Sequence, residues 1–115
     1  MNLVTLIGNL GAAPILRTTP SGTPILTFKL AVDDRVVRDD MVEHRTDWIP
    51  VVVWGRNAEI CATHLQKGSQ VAVEGSLRSR LYQDRDQQNY VLECVAKNVK
   101  FLAKIKSKEI GNDIG

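Results

Sequence analysis

The stretch Asp47-Trp48-Ile49-Pro50-Val51-Val52-Val53-Trp54-Gly55 decides the fold prediction, because it is rich in β-branched and aromatic residues and ends in glycine. This composition predicts a β-strand. Successive side chains of a strand alternate between its faces, so both tryptophans share one face and Ile49, Val51 and Val53 share the other. The indoles would be separated by about 20 Å along the strand, at a rise of roughly 3.3 Å per residue. They would form a platform instead of a cluster.

The face that carries the tryptophans has two possible roles. Indoles are usually well buried, so both rings could fill a core, or they could stay exposed and stack on a flat ligand. The aliphatic face already supplies one core surface. Pro50 withholds a ladder hydrogen bond, which favours an edge or a bulge for this part of the strand. Both roles remain open at this point.

Length and composition indicate one soluble domain. The chain has 115 residues, 43% of them hydrophobic and 24% charged, and its formal net charge is +2. No apolar run has the length of a membrane span, and the first residues lack the pattern of a secretory signal. Cys61 and Cys94 fall on apolar positions and are expected to be free, buried thiols, which suits a reducing compartment. These features favour a cytoplasmic protein that does not bind membranes.

The hydrophobic pattern predicts five strands and one helix. The predicted strands are Leu3–Ile7, Ile25–Val32, the stretch 47–54, Ser69–Tyr82 and Tyr90–Leu102, and the predicted helix is Arg56–Gln66. Gly68 follows this helix as a C-terminal cap, and Gly75 marks a sharp bend in the fourth strand.

Four connections are expected between these elements. Gly8–Gly11 and Thr19–Gly22 carry glycine or proline at positions typical of turns. Asp33–Thr46 is polar and is expected to be a long, mobile hairpin loop, of the kind that often binds ligands. Asp84–Asn89 is expected to be a polar turn.

The predicted order of elements indicates the fold class. Five strands with one short helix between strands 3 and 4 match the OB-fold, an all-β, five-stranded Greek-key barrel. An SH3-like barrel also fits short strands with glycine-marked bends. We expect residues 1–103 to form one OB-fold domain and residues 104–115 to form a short, flexible tail that contains lysines.

Basic and aromatic residues alternate near the end of the fourth predicted strand, where Arg78, Arg80 and Tyr82 share one side. Two surface arginines are often merely solvated. Together with the two tryptophans, however, they supply what a single nucleic-acid strand requires, which is cations along its phosphates and rings against its bases. The residues therefore predict sequence-tolerant binding of a single strand.

Catalysis and metal binding find little support in the sequence. His44 and His64 belong to no nucleophile or metal signature. Cys61 and His64 lie three residues apart, but two ligands are too few for a structural zinc site. We expect no enzymatic activity, no cofactor and no metal.

The chain also resembles the bacterial single-stranded DNA-binding proteins from Asn2 to Leu102. The segments that carry the resemblance are Leu6–Gly11, Thr19–Thr23, Thr46–Trp48, Val51–Gly55, Ala58–Ile60, Lys67–Val71 and Val73–Arg78. The resemblance implies an OB-fold, binding of single-stranded DNA in replication, recombination and repair, and association with the nucleoid. It also implies a homo-oligomer, often a tetramer.

The resemblance assigns roles to individual residues. It places the stacking aromatics at Trp48, Trp54 and Tyr82, and the phosphate-contacting cations at Arg17, Arg56, Arg78 and Arg80. A further aromatic that many members carry in the long loop is Val36 here. Many members also end in a glycine-rich segment with an acidic tip that recruits other proteins, a feature this sequence lacks, so recruitment by that route is not expected.

Two other functions remain as alternatives. An OB-fold protein-interaction module of the primosomal replication type would pack the same indoles against a protein partner. An OB-fold nuclease would need a carboxylate metal site, and the acidic residues of this chain do not assemble into one. Quenching of tryptophan fluorescence by oligonucleotides separates the first alternative from a single-strand binder.

Overall fold

The computed structural model describes residues 1–102. In this range the elements are β1 Val4–Leu10, β2 Ile15–Thr18, β3 Pro24–Arg38, β4 Met41–Trp54, α1 Arg56–His64, β5 Gln70–Asp84 and β6 Gln87–Phe101. The predicted domain ends at residue 103, one residue past the described range, and the predicted tail 104–115 lies outside the described residues.

Five of these strands close into a barrel. The neighbours follow the order β1-β5-β6-β4-β3, and β3 pairs again with β1, where Leu10 faces Leu30. Short β2 lies outside this ring and pairs only with β3 among the described strands. The pairing of β4 with β6 is parallel and the other pairings are antiparallel. The OB-fold prediction is therefore confirmed, with α1 between the third and fourth strands of the barrel.

The aliphatic face of β4 forms the centre of the core, as predicted. Val51 and Val53 are fully buried, and they pack with the alternating β3 residues Leu26, Phe28 and Leu30. The helix closes one end of this core with Ala58 and Cys61, and Leu65, which directly follows the helix, belongs to the same buried cluster.

Both cysteines are free and buried, as the sequence suggested. Burial raises the pKa of the Cys61 and Cys94 thiols, because the thiolate would lose its hydration. Both side chains thus act as small apolar groups of the core.

The helix ends earlier than predicted. It stops at His64, and Leu65 already has an extended conformation, so the prediction of Gly68 as its cap is wrong. Gly68 instead has a φ of 88° in the connection to β5, where its N–H donates to the Leu10 carbonyl at 2.8 Å. This glycine joins the connection to the end of β1.

Two glycines mark places where backbones approach closely. The turn predicted at Gly8–Gly11 is wrong in its first part, since β1 continues through Gly8 to Leu10. A Cβ at Gly8 would overlap the Ala31 carbonyl of β3, so this glycine permits the contact that closes the barrel. Gly75 lies at a β-bulge between β5 and β6, and a Cβ there would overlap the Val95 carbonyl. The extra residue of the bulge is Lys97 of β6, so the sharp bend of the strand that carries Gly75 stays a prediction.

The segment Asp33–Thr46 connects β3 and β4 as a hairpin, as predicted, but the prediction of a long loop is wrong because the two strands stay paired along it. Strands β3 and β4 continue to a tight turn at Asp39 and Asp40, whose φ values of 47° and 65° are tolerated by aspartate better than by most residues. Polar side chains misled the prediction, because both faces of this hairpin lie mostly in solvent while its backbone is fully paired. The β5–β6 hairpin is similar, with its turn reduced to Arg85 and Asp86.

Within residues 1–102, no helix combines the length and the apolarity that crossing a lipid bilayer requires.

Candidate nucleic-acid interface

Both tryptophans lie on one continuous face of the sheet, opposite the core. Trp48 pairs with Ala31 and Trp54 pairs with Ile25 of β3, so the register places both on the same side. The same register extends through β2 on one flank and through β6 and β5 on the other. We call this surface the outer face, and its aromatic and basic residues are Arg17, Lys29, Trp48, Trp54, Arg78, Arg80 and Tyr82.

The two indoles stand outside the core. Trp48 is 55% exposed and Trp54 is 49% exposed, while the adjacent Val53 is buried. The indoles therefore do not fill the core, which leaves them available for a flat ligand. Pro50 lies between the indoles and pairs with Lys29, and the neighbouring β6 pairs with β4 only at Val51 and Val52. Much of this edge of β4 is thus without a partner strand in the described residues.

A groove of about 600 Å³ crosses the middle of the outer face. Three of the residues predicted for binding, Arg17, Trp48 and Arg80, line it. Lys29 and Glu93 line it as well, from β3 and β6. We call it the central groove, and it combines a flat aromatic surface with three basic side chains.

Gly11 sets the position of the Trp48 ring. A Cβ at Gly11 would overlap Cζ3 of Trp48 and lie within 3.0 Å of its Cη2. The glycine backbone therefore contacts the six-membered part of the indole, and its N–H donates to the Lys29 carbonyl at 3.1 Å. Gly11 thus supports the ring from the loop between β1 and β2 while the ring stays half exposed.

Arg80 is held in an ion pair. Its Nε lies 3.2 Å from Oε1 of Glu93, whose side chain is 14% exposed, whereas the Arg80 side chain is 58% exposed. Glu93 is also the cross-strand partner of Arg78. One carboxylate therefore lies beside both arginines of β5.

The remaining predicted residues lie farther from the central groove. Trp54 is at the far end of β4, and Tyr82 is near the tip of the β5–β6 hairpin, where it pairs with Asn89. Arg56 lies at the start of α1 and lines a separate depression with Glu59 and His64. The structure thus brings six of the seven predicted residues to the outer face and leaves Arg56 outside that group.

Three residues of the site were missed by the sequence reasoning. Lys29 alternates with core residues of β3, so its place on the outer face could have been found from that pattern. The sequence predicted Gly11 only as part of a turn. Glu93 gave no signal, because the side of β6 that faces the groove depends on its register with β4.

Val36 lies on the opposite side of the sheet from Trp48. It pairs with Glu43 on the β3–β4 hairpin, an odd number of residues beyond Ala31, which is the partner of Trp48. Its neighbour Val37 shares the side of the tryptophans. A ring at position 36 would therefore not extend the row of indoles.

Residues 1–102 contain no group of three or more histidine, cysteine or acidic side chains placed to hold a metal ion. His64 contacts the Ile60 carbonyl through Nδ1 at 2.9 Å, and its ring stacks on Phe101 at a centroid distance of 5.3 Å. The outer face, by contrast, combines exposed aromatic rings with basic side chains. This combination suits a flexible polyanion that carries flat aromatic rings.

Comparison with known proteins gives a consistent result. The chain matches the model of the single-strand binding protein family over residues 1–102. It is 45% identical over 104 residues to a single-stranded DNA-binding protein of Clostridium tetani, covering 89% of this chain and 70% of that protein. It is 41% identical to single-stranded DNA-binding protein 1 of Xylella fastidiosa, covering 100% of this chain and 85% of the relative.

Solved structures are similar as well. A Plasmodium falciparum SSB in complex with ssDNA superposes with a TM-score of 0.83 at 27% identity, covering 90% of this chain and 96% of the other. A deletion mutant of the single-stranded DNA binding protein from Thermus aquaticus gives a TM-score of 0.81 at 31% identity, covering 90% of this chain and 51% of the other.

We predict that Gly11→Ala displaces the Trp48 indole, because the added methyl group needs the space of the ring. In a Trp54→Phe background, where Trp48 is the remaining tryptophan, its fluorescence should shift to longer wavelength and be quenched more readily by acrylamide. Because Trp48 is half exposed and its ring can move aside, the free energy of unfolding should fall by less than the roughly 1–3 kcal/mol that overpacking costs in a closed core.

Gly68→Ala is the matched control, because a Cβ at that glycine meets nothing within 4 Å. It should lower the free energy of unfolding by about 1–2 kcal/mol, because alanine disfavours the positive φ of this position, and it should leave the Trp48 emission unchanged. Unaltered emission in Gly11→Ala would show that the glycine does not position the ring.

Proposed function

The chain belongs to the single-strand binding protein family, and we propose that it binds single-stranded DNA along the outer face without reading the base sequence. The observation that carries this proposal is the pair of half-exposed indoles on the side of the barrel that also holds the basic side chains. Large exposed apolar rings rimmed by polar groups mark binding surfaces.

The mechanism follows from the chemistry of the two kinds of side chain. Bases stack on Trp48, Trp54 and Tyr82, and stacking tolerates any sequence because every base has a flat π-face. The phosphates lie near Lys29 and the arginines of the outer face, so binding releases counterions and weakens as salt rises. Duplex DNA binds poorly, because its bases are already stacked and paired.

This mechanism involves binding without chemistry. The protein covers single strands that replication, recombination and repair expose, and it leaves their covalent structure unchanged. We place it in the cytoplasm with the nucleoid, where such strands arise. No cofactor or metal has a role in this function.

We predict that single-stranded oligonucleotides quench the tryptophan fluorescence of the protein. Trp48→Ala should weaken binding by about 1–3 kcal/mol with an unchanged salt dependence, because it removes a stacking ring and no charge. Arg78→Ala should instead make the slope of log K against log salt shallower by about 0.7, which corresponds to one phosphate contact on a single strand.

Arg45→Ala is the matched control for the arginine variant. Arg45 is also an exposed arginine of a strand, but its side chain lies on the opposite side of the sheet from Trp48. Arg45→Ala should change the slope of log K against log salt by less than Arg78→Ala does. Absence of quenching and of binding at low salt in the unmodified protein would refute the proposed function.

We further propose that the chain forms a homo-oligomer, built on dimers and reaching a tetramer, with contacts along β1. On one side β1 pairs with β5, but on the other it pairs with β3 only at Asn9 and Leu10, which leaves the edge at Val4–Ile7 without a described partner. Leu3 and Ile7 also expose apolar side chains there. An unpaired apolar edge favours pairing with a strand of another chain. A second copy of this chain can supply that strand through its own β1 in a symmetric contact.

Light scattering tests this assembly. We expect a mass of about four times the 12.8 kDa of the chain at micromolar concentration, and a smaller mass for Ile7→Lys, since each copy would then bring a charged side chain into an apolar contact. Ile60→Lys, an equivalent change at an exposed isoleucine of α1, should leave the mass unaltered. A monomer in the unmodified protein would contradict the proposal.

A further inference from the structure

The central groove contains an acidic side chain where a binder of polyanions is expected to be basic. Glu93 lines this groove together with Arg17, Lys29 and Arg80. Like charges repel, so a carboxylate at this position opposes the approach of a phosphate.

The position of Glu93 links it to both arginines of β5. Its Oε1 lies 3.2 Å from Nε of Arg80, and its cross-strand partner is Arg78. Cross-strand partners have Cβ atoms roughly 5 Å apart. The carboxylate therefore neutralises about one of the two positive charges that β5 contributes to the outer face.

The two partners differ in how much of each side chain faces solvent. The Glu93 side chain is 14% exposed, whereas the Arg80 side chain is 58% exposed. A phosphate can therefore approach the guanidinium from solvent, while the carboxylate is largely covered by protein. Among the described residues, the other ion pair, Arg45–Asp47, has the same 3.2 Å separation but lies outside the central groove, with side chains 71% and 46% exposed.

We propose that Glu93 limits the affinity of the outer face for single-stranded DNA by competing with a backbone phosphate for Arg80. This inference rests on the proposed function. When the strand enters the central groove, its phosphate has to share the guanidinium with the carboxylate or displace it. The phosphate contact at Arg80 therefore contributes less binding free energy than a contact with an unpaired arginine. Glu93 thus makes the complex weaker and faster to dissociate than it would be without this carboxylate.

The test is Glu93→Gln, which keeps the size of the side chain and removes its charge. Binding of an oligothymidylate, followed by tryptophan fluorescence across a range of salt concentrations, should become roughly 3- to 30-fold tighter, from a like charge lying several ångström from the phosphate. The slope of log K against log salt should become steeper by up to about 0.7, because Arg80 then makes a full phosphate contact.

Asp47→Asn is the matched control. It also raises the net charge by one and breaks an ion pair of equal length, but at a site outside the groove. Screening over a Debye length of about 10 Å at moderate salt should keep its effect below roughly twofold. A similar gain in both variants would mean that net charge alone acts, and would overturn the proposal.

A double-mutant cycle separates competition from positioning. If Glu93 competes with phosphate, Arg80→Ala weakens binding more in the Glu93→Gln background than in the unmodified protein. If Glu93 instead holds Arg80 in place for phosphate, Glu93→Gln weakens binding and the additional loss from Arg80→Ala becomes smaller, which refutes the proposal. Unchanged affinity in Glu93→Gln refutes it too.

A second variant and the binding of the unmodified protein complete the test. Glu93→Ala removes the same charge and replaces Glu93→Gln if the amide lowers the thermal stability. Absence of binding in the unmodified protein would be a failure of the proposed function, whereas binding that Glu93→Gln does not tighten is a failure of this inference alone.

Discussion

The pairing of β3 with β4 is the interaction on which the rest of this structure depends. It places Val51 and Val53 in the core and Trp48 and Trp54 in solvent, because neighbouring side chains of one strand must point in opposite directions. Burying each of these valines contributes about 1.5–3 kcal/mol. A slip of one residue would expose the valines and force the indoles inward, so the core determines which surface can bind.

Close approaches of backbone give this two-faced sheet its shape. Gly8 lets β1 reach β3 and close the barrel, and Gly75 lets β5 approach the β6 backbone closely. Gly11 serves the outer face in the same way, because a Cβ at this position would occupy space that the Trp48 ring now fills. The same physical property of glycine therefore supports the fold at two points and the interface at a third.

Much of the fold and part of the site could be predicted from the sequence. The alternation of Val51, Val53 and their neighbours predicted the core face and the placement of both indoles on the other face, since period-two patterns depend on local geometry. It left open whether the indoles are exposed, because that depends on whether another layer covers them. Polarity failed as a guide at Asp33–Thr46, where backbone pairing forms a hairpin that buries little. The ion pair of Glu93 with Arg80 was beyond prediction, because it depends on the register between strands far apart in the chain.

The central claim is that single-stranded DNA lies on the outer face, against the indoles and across the central groove. Heteronuclear NMR of the protein during titration with an oligothymidylate tests it most directly, since each tryptophan has its own indole N–H resonance. Our account predicts that the indole signals of Trp48 and Trp54 and the backbone signals of Lys29 and Arg80 shift together, while those of α1 do not. Shifts centred on α1, around the depression beside Arg56, with both indole signals unchanged, would contradict it.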